Sequence, residues 1–254
     1  MLANERHEEI LRQLAKTGTV RTTALARKLK VSDETIRNDF EMIERTGGLM
    51  RIHGGARRLD VMRRELPLSE RLSINRDEKS AIGKAAARRV RPNETIFLDA
   101  SSSVLTMTEY LPEMPLTILT NAQNVVQALS DRTCYDVICT GGLHDPRSRS
   151  YIGLLAEEAL RRYQIHRMFF SGNGLDLERG VSEVNSRQAV FKERVIPLTD
   201  EVCLLADHTK LGVKSAFFFC APRQISVLIT DRLAEPEFTR EAGARGMDVV
   251  LAEG

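Results

Sequence analysis

The chain has 254 residues, of which 42% are hydrophobic and 28% are charged, and its formal net charge is +2. These values are typical of a globular protein with one large domain or two ordinary ones, and they exclude a disordered or fibrous chain. Residues 1–58 contain 12 Lys and Arg against 8 Asp and Glu, whereas the remainder contains 25 against 27. A basic amino-terminal part on a slightly acidic body favours a module that binds a polyanion.

The amino terminus, cysteines and histidines indicate the compartment. MLANERHEEI has no apolar stretch of signal-peptide length, and no apolar run approaches a membrane span. The cysteines lack CxxC spacing and most lie in apolar runs, which predicts buried, reduced thiols: Cys134, Cys139, Cys203 and Cys220. We therefore predict a cytoplasmic protein that does not contact a membrane. The five histidines lack metal-ligand spacing, so we predict no metal site, and no cofactor is expected.

Three short helices are predicted at the amino terminus. Apolar residues recur at helical spacing from residue 4 to about residue 17, and Gly18 ends that run. TTALARKL predicts a second helix, and Ser32 is a good N-cap for a third helix that runs to about Arg45. LMRIHGGARR then indicates a β-hairpin or wing. This arrangement is typical of a winged helix-turn-helix domain, here residues 1–58.

The third helix carries residues suited to reading DNA. Ile36, Phe40 and Ile43 are spaced to face the core. The polar residues lie mostly off that face: Thr35, Arg37, Asn38 and Asp39. Arginine can pair with guanine and asparagine with adenine, although an ordinary solvated face has a similar composition. The predicted DNA-binding residues are Arg21, Thr22, Ser32, Thr35, Arg37, Asn38, Arg51, His53, Arg57 and Arg58.

A linker and a second domain follow. Residues 59–77 are charged, contain Pro67 and show no clean period, which predicts a linker with some helical content. A helix over Glu78–Val90 leads into a domain that spans residues 78–254. There, short apolar strands such as TIFLD, LTILTN and EVCLLAD alternate with helices such as AQNVVQALSD and SYIGLLAEEALRRY. This alternation predicts an α/β domain with a largely parallel sheet covered by helices on both faces.

The predicted strands end in similar residues. LDASSS, LTN, CTGG, FSGNG and LADHTKLG all finish in hydroxyl, amide, carboxylate or glycine residues. Ligands of parallel sheets bind beyond these carboxyl ends, so we predict a pocket for a polar small molecule. Ser101–Ser103 at a helix start suit a phosphate, and Lys210, Arg149 and Lys192 could add positive charge. Any one of these motifs alone is more typical of simple turn chemistry.

The motif VSDETIRNDFEMIERTGGLMRIHGGA closely resembles the signature of the DeoR family of bacterial sugar-metabolism repressors. The second half resembles the family's sensor domain, which is related to ribose-5-phosphate isomerase and CoA-transferase-like folds. The resemblance implies a phosphosugar effector and a pocket lined by Asp99, Ser101, Ser102, Ser103, Asn121, Gly142, Lys192 and Lys210. With the neighbouring strand ends, the candidate effector-binding residues also include Gly141, Arg149, Asn173 and Asp207.

Three positions depart from the family pattern. Asn38 stands where the family often has a second arginine. The operator sequence of family members therefore cannot be carried over to this protein. Asn173 and Gln188 stand where the family usually has acidic residues. Loss of these carboxylates indicates either a different sugar or a more negatively charged ligand.

The leading hypothesis is a repressor whose binding to a double-stranded DNA operator is controlled by a phosphorylated sugar. A single small module gives modest specificity, which favours a homodimer or homotetramer on inverted half-sites. An activator with the same effector class is the alternative. A sugar-phosphate isomerase is a further one, with Asp99, Asp207 or Glu183 as the carboxylate base, but the two amide substitutions argue against it.

Overall fold

The computed structural model describes residues 3–45, 49–52, 54–58 and 66–253. The chain divides into two compact units, Met1–Arg64 and Glu65–Gly254, and each is described by itself. Within the described residues, none of the helices combines the length and the apolar character that crossing a membrane requires.

The amino-terminal unit contains three helices and a three-stranded antiparallel sheet. The helices are α1 (Ala3–Thr17), α2 (Thr22–Leu29) and α3 (Asp33–Arg45). The strands, in spatial order, are β1 (Thr19–Arg21), β3 (Gly55–Arg58) and β2 (Leu49–Ile52). The predicted helices and hairpin are confirmed, and β1 is an additional strand. Fully buried side chains from all three helices and the sheet form one core: Ile10, Leu14, Leu25, Ile36, Phe40 and Leu49.

Local chemistry explains the boundaries of this unit. The Ser32 hydroxyl accepts a hydrogen bond from the Thr35 backbone N–H at 3.1 Å, as expected of the N-cap of α3. Lys30, at φ 54°, ends α2 in the left-handed conformation. Gly55 allows β1 to pair with β3, because a Cβ atom there would lie 2.0 Å from the Val20 carbonyl oxygen. The wing therefore depends on a glycine at this position.

The carboxyl-terminal unit is built on a seven-stranded sheet in which all pairings are parallel. Its strands, in spatial order, are β15 (Asp248–Ala252), β14 (Val227–Asp231), β12 (Thr199–Leu205), β9 (Ile165–Phe170), β4 (Thr95–Leu98), β5 (Leu116–Thr120) and β6 (Tyr135–Cys139). The helices are α4 (Leu68–Ser73), α5 (Arg76–Ala87), α6 (Ser102–Met107), α7 (Gln123–Leu129), α8 (Leu154–Leu160), α9 (Ser186–Val195) and α10 (Pro236–Ala244).

The sheet separates two hydrophobic cores. Successive strand residues point to opposite faces, so Phe97 packs in one core and its neighbours Ile96 and Leu98 pack in the other. Both faces of the central strands are buried, which is why these strands are apolar throughout instead of alternating with polar residues. This confirms the predicted α/β architecture.

Several short strands were not predicted. They are β7 (Leu143–Asp145), β8 (Ser150–Ile152), β10 (Gly174–Asp176), β11 (Gly180–Glu183) and β13 (Phe217–Cys220). β8 corrects the predicted helix SYIGLLAEEALRRY: Gly153, at φ 89°, ends the strand and precedes α8. The cysteine prediction is also corrected in part, because Cys203 and Cys220 are buried but Cys139 is exposed.

The predicted linker differs as well. Its described part, from residue 66 onward, contains α4 and the beginning of α5 and belongs to the carboxyl-terminal unit. The physical reason is burial of Leu68, which is 4% exposed, together with a hydrogen bond from the Asn75 amide to Asp207 at 2.9 Å.

Candidate functional site

The exposed face of α3 presents two of the predicted DNA-binding side chains. Arg37 and Asn38 are exposed, and Thr35 is half-buried beside Ser32. Arg37 Nη1 donates to Glu34 Oε2 at 2.8 Å, but both side chains are more than 60% exposed. A surface ion pair of this kind contributes little free energy, so Arg37 can exchange it for another acceptor.

Asp39 corrects the prediction that the polar residues of α3 lie off the core face. It is 5% exposed and accepts hydrogen bonds from Arg6 Nε at 2.5 Å and Arg6 Nη2 at 2.8 Å, with His7 at 2.9 Å. Burial alone raises the pKa of the Asp39 carboxyl, but the hydrogen bonds from Arg6 and His7 outweigh burial and hold this pKa below its ordinary value. Asp39 therefore joins α3 to α1.

The remaining predicted DNA-binding residues have different surroundings. Arg21 and Arg51 are exposed, and Arg51 donates to Glu44 from its backbone at 2.9 Å and from Nε at 2.7 Å. Thr22 corrects the prediction: it is 6% exposed, and its backbone N–H donates to the Gly54 carbonyl oxygen. His53 lies outside the described residues, and Arg57 and Arg58 are described only through the backbone pairing of β3.

The five polar strand ends lie on five consecutive strands of the sheet: β12, β9, β4, β5 and β6. Because these strands are parallel, their carboxyl ends meet at one edge. The chain moves outward from β4 through β5 to β6 and then resumes on the other side of β4 with β9 and β12. The edge between β4 and β9 is thus a topological switch point, the usual location of a ligand in such sheets.

Asp99 and Lys192 form a buried frame at this edge. Asp99 Oδ1 accepts from the Ser101 backbone N–H at 2.9 Å, and Oδ2 accepts from the Ser171 N–H at 3.1 Å. Lys192 Nζ lies 2.9 Å from Asp99 Oδ2 and 2.6 Å from Glu183 Oε1, and it donates to the Ser171 carbonyl oxygen at 2.6 Å. These three acceptors match the three N–H donors of an ammonium group. All the hydrogen-bond donors of the Lys192 side chain are therefore paired within the protein.

The charge states of this frame follow from its contacts. Burial lowers the pKa of Lys192, but the charges of Asp99 and Glu183 outweigh burial and raise it above the ordinary lysine value. Lys192 is therefore a cation held between two carboxylates, and it ties α9 to the ends of β4, β9 and β11.

Lys210 is the more available cation. Its Nζ donates to Ser171 Oγ at 2.9 Å and lies 4.0 Å from Asp207 Oδ2, and its side chain is 21% exposed. Asp207 is buried and accepts from the backbone and side chain of Thr209. Burial raises the pKa of Asp207, but the Lys210 charge and the hydrogen bonds from Thr209 and Asn75 outweigh it and lower the pKa. Asp207 is thus an ionised anchor and a weak base.

The residues after β4 and β5 contribute polar atoms to this edge, and some of these atoms have no hydrogen-bond partner among the described residues. Ser101 Oγ caps α6 by accepting from the Val104 N–H at 3.3 Å. Ser102 is buried at the first position of that helix. Ser103 Oγ and Asn121 Oδ1 are buried without hydrogen-bond partners, while Asn121 Nδ2 donates to the Tyr151 carbonyl oxygen at 3.0 Å.

The loops after β6 and β9 are shaped by backbone and packing. Gly141 adopts φ +62°, and a Cβ atom on Gly142 would lie 2.8 Å from the Ile152 carbonyl oxygen. Arg149 is exposed and adopts φ 51°. Asn173 Oδ1 accepts from the Val184 N–H at 3.0 Å, so this side chain holds β11 in place. Gln188 is buried and donates to Ser148 and Ser150 at 2.9 and 2.7 Å.

The predicted pocket contains a small cavity that is too narrow for a water molecule. It is lined by Leu68, Ala100, Ser101, Leu105, Ala122, Asn124, Val125, Ser148 and Arg149. Leu68, Asn75 and their neighbours in α4 and α5 were missed from the sequence because residues 59–77 were assigned to a linker. Pro67 immediately before Leu68 is the available signal, since proline is favoured at helix starts.

A second set of charged groups in the unit is paired internally. A cleft at the opposite edge of the sheet is lined by Arg89, Glu94, Arg167, Glu201 and Asp248, which form ion pairs with one another. In the part of the chain that the structure describes, His, Cys, Asp and Glu side chains form no group of three or more suited to a metal ion.

Comparison with known proteins gives a consistent result for both units. The family model of the DeoR-like helix-turn-helix domain matches residues 6–61, and that of the DeoR C-terminal sensor domain matches residues 74–232. An uncharacterized HTH-type transcriptional regulator of Bacillus subtilis, YulB, is 36% identical over 93% of this chain and 92% of its own length. The regulator GolR of Listeria innocua is 32% identical over the full length of both chains.

The chain is also similar to a named repressor and, at low sequence identity, to a solved enzyme structure. The lactose phosphotransferase system repressor of Streptococcus mutans is 34% identical over 91% of this chain and 93% of its own length. A ribose 5-phosphate isomerase from Methanocaldococcus jannaschii aligns with a TM-score of 0.41 at 14% identity, over 54% of this chain and 55% of that chain. The helix-turn-helix unit, the parallel-sheet sensor unit and the matches to both family models lead to one conclusion: the chain belongs to the DeoR family of DNA-binding transcriptional regulators.

Proposed function

We propose that this protein represses a carbohydrate-metabolism operon and that a phosphorylated sugar releases it from its operator. The observation that carries the effector class is the set of uncommitted polar groups at the strand ends. Among the described residues, Lys210 Nζ has a single close hydrogen-bond acceptor, and Ser103 Oγ and Asn121 Oδ1 have no hydrogen-bond partner. An ammonium group and a hydroxyl suit a phosphate, while an amide oxygen suits a sugar hydroxyl. The Streptococcus mutans relative is named as a repressor of a lactose phosphotransferase system.

On the DNA side, α3 enters the major groove and Arg37 and Asn38 contact base edges. Arg21 and Arg51 contact the phosphate backbone together with the wing residues His53, Arg57 and Arg58, and these contacts make the affinity dependent on salt. Two copies bind inverted half-sites as a homodimer, or four copies bind as a homotetramer.

Control requires differential affinity. The effector must bind more tightly to one arrangement of the oligomer than to another, because a ligand with equal affinity for both shifts no equilibrium. In this proposal the sugar phosphate favours the arrangement that does not fit the operator.

The test is fluorescence anisotropy on a DNA fragment selected from a random pool by the wild-type protein. We expect one member of a panel of hexose and pentose phosphates to release the DNA, whereas the corresponding neutral sugar does not. Lys210→Ala should bind DNA normally and respond to that sugar phosphate only at higher concentrations, while Lys214→Ala, an exposed lysine paired with Asp176, should respond normally.

Two results would contradict the proposal. If none of the sugar phosphates releases the DNA, the proposed effector class is wrong. If Lys210→Ala responds like the wild type, the proposed location of the effector site is wrong. Deleting the gene should raise the transcripts of the controlled operon, whereas a fall would identify an activator.

A further inference from the structure

The helix α4 covers the strand ends where the effector is proposed to bind. Leu68 lines the same cavity as Ser101 and Arg149. The space among these residues is too small for a water molecule, whereas typical ligand sites have roughly 300–1,000 Å³. A sugar phosphate at these strand ends would therefore contact α4.

The guanidinium group of Arg71, on α4, has two nitrogen atoms that are not used in hydrogen bonds to the described residues. Within the described part of the chain, its Nε and Nη2 are buried without hydrogen-bond partners. These two N–H groups share one edge of the planar guanidinium, and this edge can donate in parallel to two oxygen atoms of a phosphate or carboxylate. Arg6 uses the same edge in this protein, where Nε and Nη2 donate to the two carboxylate oxygens of Asp39. The equivalent edge of Arg71 lacks such a partner.

Arg71 belongs to a group of cations. Burial and the nearby charges of Lys210 and Arg71 together lower the pKa of Lys79 to about 8. Burial also lowers the pKa of Lys210, and the Arg71 charge contributes to that shift. Among the residues that the structure describes, four cations belong to this group: Arg71, Lys79, Lys192 and Lys210. The carboxylates Asp99 and Glu183 are both paired with Lys192, so the unpartnered guanidinium edge of Arg71 is left for an anion.

The position of α4 is fixed by its neighbours. Lys79 Nζ donates to the carbonyl oxygens of Arg71 and Ile74 at the end of the helix. Asn75 Nδ2 donates to Asp207 Oδ1 at 2.9 Å and to Thr209 Oγ1 at 3.2 Å. These bonds attach the α4–α5 turn to the end of β12. The backbone of Arg71 is thus held near the end of β12 by contacts that do not use its own guanidinium edge.

We propose that Arg71 binds the phosphoryl group of the effector through its Nε–Nη2 edge and is a specificity-determining residue of the sensor. The proposal rests on the proposed function, since it adds a residue to the same site. It makes α4, the first helix after Glu65, part of the effector site. Effector binding thereby acts on the segment through which the chain enters the carboxyl-terminal unit.

The test uses three variants of the full-length protein. Arg71→Met removes the charge and the donors, Arg71→Lys keeps the charge but removes the paired donors, and Arg76→Met is the control because Arg76 is exposed on the neighbouring helix. Melting temperatures are measured without ligand, with inorganic phosphate and with the panel of sugar phosphates, and affinities are measured by calorimetry for the sugar phosphate that stabilises the wild type.

We expect Arg71→Met to bind this sugar phosphate about 10- to 100-fold more weakly, as for loss of charge-assisted hydrogen bonds, and Arg71→Lys to lie between it and the wild type. Without ligand, Arg71→Met should melt about 2–4 °C higher than the wild type, because it removes two buried N–H groups that have no hydrogen-bond partner in the described part of the chain. A residue with only a structural role would give a lower melting temperature. Arg76→Met should match the wild type in affinity.

The outcomes separate the two proposals. If the wild type is stabilised and Arg71→Met binds equally well, the Arg71 proposal is overturned and the proposed function stands. A ligand-free melting temperature below that of the wild type would also overturn it. If no sugar phosphate or inorganic phosphate stabilises the wild type, the proposed function fails and the Arg71 proposal fails with it.

Discussion

Arg37 and Asn38 are adjacent exposed residues on a helix whose opposite side is anchored in the core. Their chemistry differs in a useful way. The guanidinium of Arg37 presents a paired donor edge that fits guanine, whereas the amide of Asn38 presents one donor and one acceptor that fit adenine. A family pattern with arginine at both positions would read a different pair of bases.

Arg37→Ala should therefore weaken binding to selected DNA by about 1–3 kcal/mol, the value of a bidentate base contact, and should weaken binding to random DNA much less. Breaking the exposed pair with Glu34 adds little to this difference. Anisotropy titrations on both DNAs provide the measurement, with Arg12→Ala on α1 as the control. Equal losses on selected and random DNA would show that Arg37 contacts only phosphate.

The side-chain amide of Gln188 is held by two hydrogen bonds. Its amide nitrogen donates to both Ser148 and Ser150, and their two hydroxyl oxygens lie 2.8 Å apart. A glutamate at this position could only accept while ionised. Gln188 therefore acts as the donor to Ser148, which lines the cavity, and to Ser150, which begins β8.

At the scale of elements, Asp39 joins two helices. It lies three residues after Ile36 and four before Ile43, so helical spacing places it on the buried stripe of α3. That spacing was available in the sequence, but its partners Arg6 and His7 are on another helix. Removing one member of a buried ion pair leaves the others without compensation, which costs several kcal/mol.

Asp39→Asn should lower the stability of the amino-terminal unit by about 3 kcal/mol at pH 7. The folded-state pKa of Asp39 is lowered, so its contribution is fully present above the unfolded-state pKa of 3.8 and is lost as the pH falls through the lower folded-state value. The wild type and the variant should converge below pH 4. Urea unfolding followed by circular dichroism tests this, with the exposed Glu8→Gln as control. A difference that persists unchanged at low pH would contradict the assignment.

The sequence predicted the large elements and missed the small ones for a physical reason. The strands of the parallel sheet are apolar because both faces are buried, and this signal is contained within each strand. By contrast, β7 and β8 are three residues each and are defined by pairing with one another. The same holds for Lys192: its charge marked it for the pocket, but its three hydrogen-bond acceptors come from Asp99, Ser171 and Glu183, which are distant in the chain.

At the scale of the whole molecule, each unit has a hydrophobic core of its own, and among the described residues the members of these cores are different. The chain has no tryptophan, and its four tyrosines all lie in the carboxyl-terminal unit: Tyr110, Tyr135, Tyr151 and Tyr163. Tyrosine fluorescence therefore reports on one unit, whereas far-ultraviolet circular dichroism reports on both.

We expect the unfolding curves from these two probes not to coincide, because separate cores unfold in separate cooperative transitions. Asp39→Asn should move only the transition that lacks a fluorescence change. Measuring both signals across one urea titration provides the test. Coincident curves for the wild type and the variant would show that the two units unfold as a single cooperative body.

The polar residues at the strand ends divide into two sets. Asp99, Lys192 and Glu183 satisfy one another and hold the backbone in place, whereas Lys210, Ser103 and Asn121 retain unused bonding capacity. Under the proposed function, substitutions in the second set would alter which metabolite is recognised, because the supporting network of Asp99, Lys192 and Glu183 does not depend on them. Such an arrangement would let effector preference diverge through few mutations during evolution while the architecture is retained.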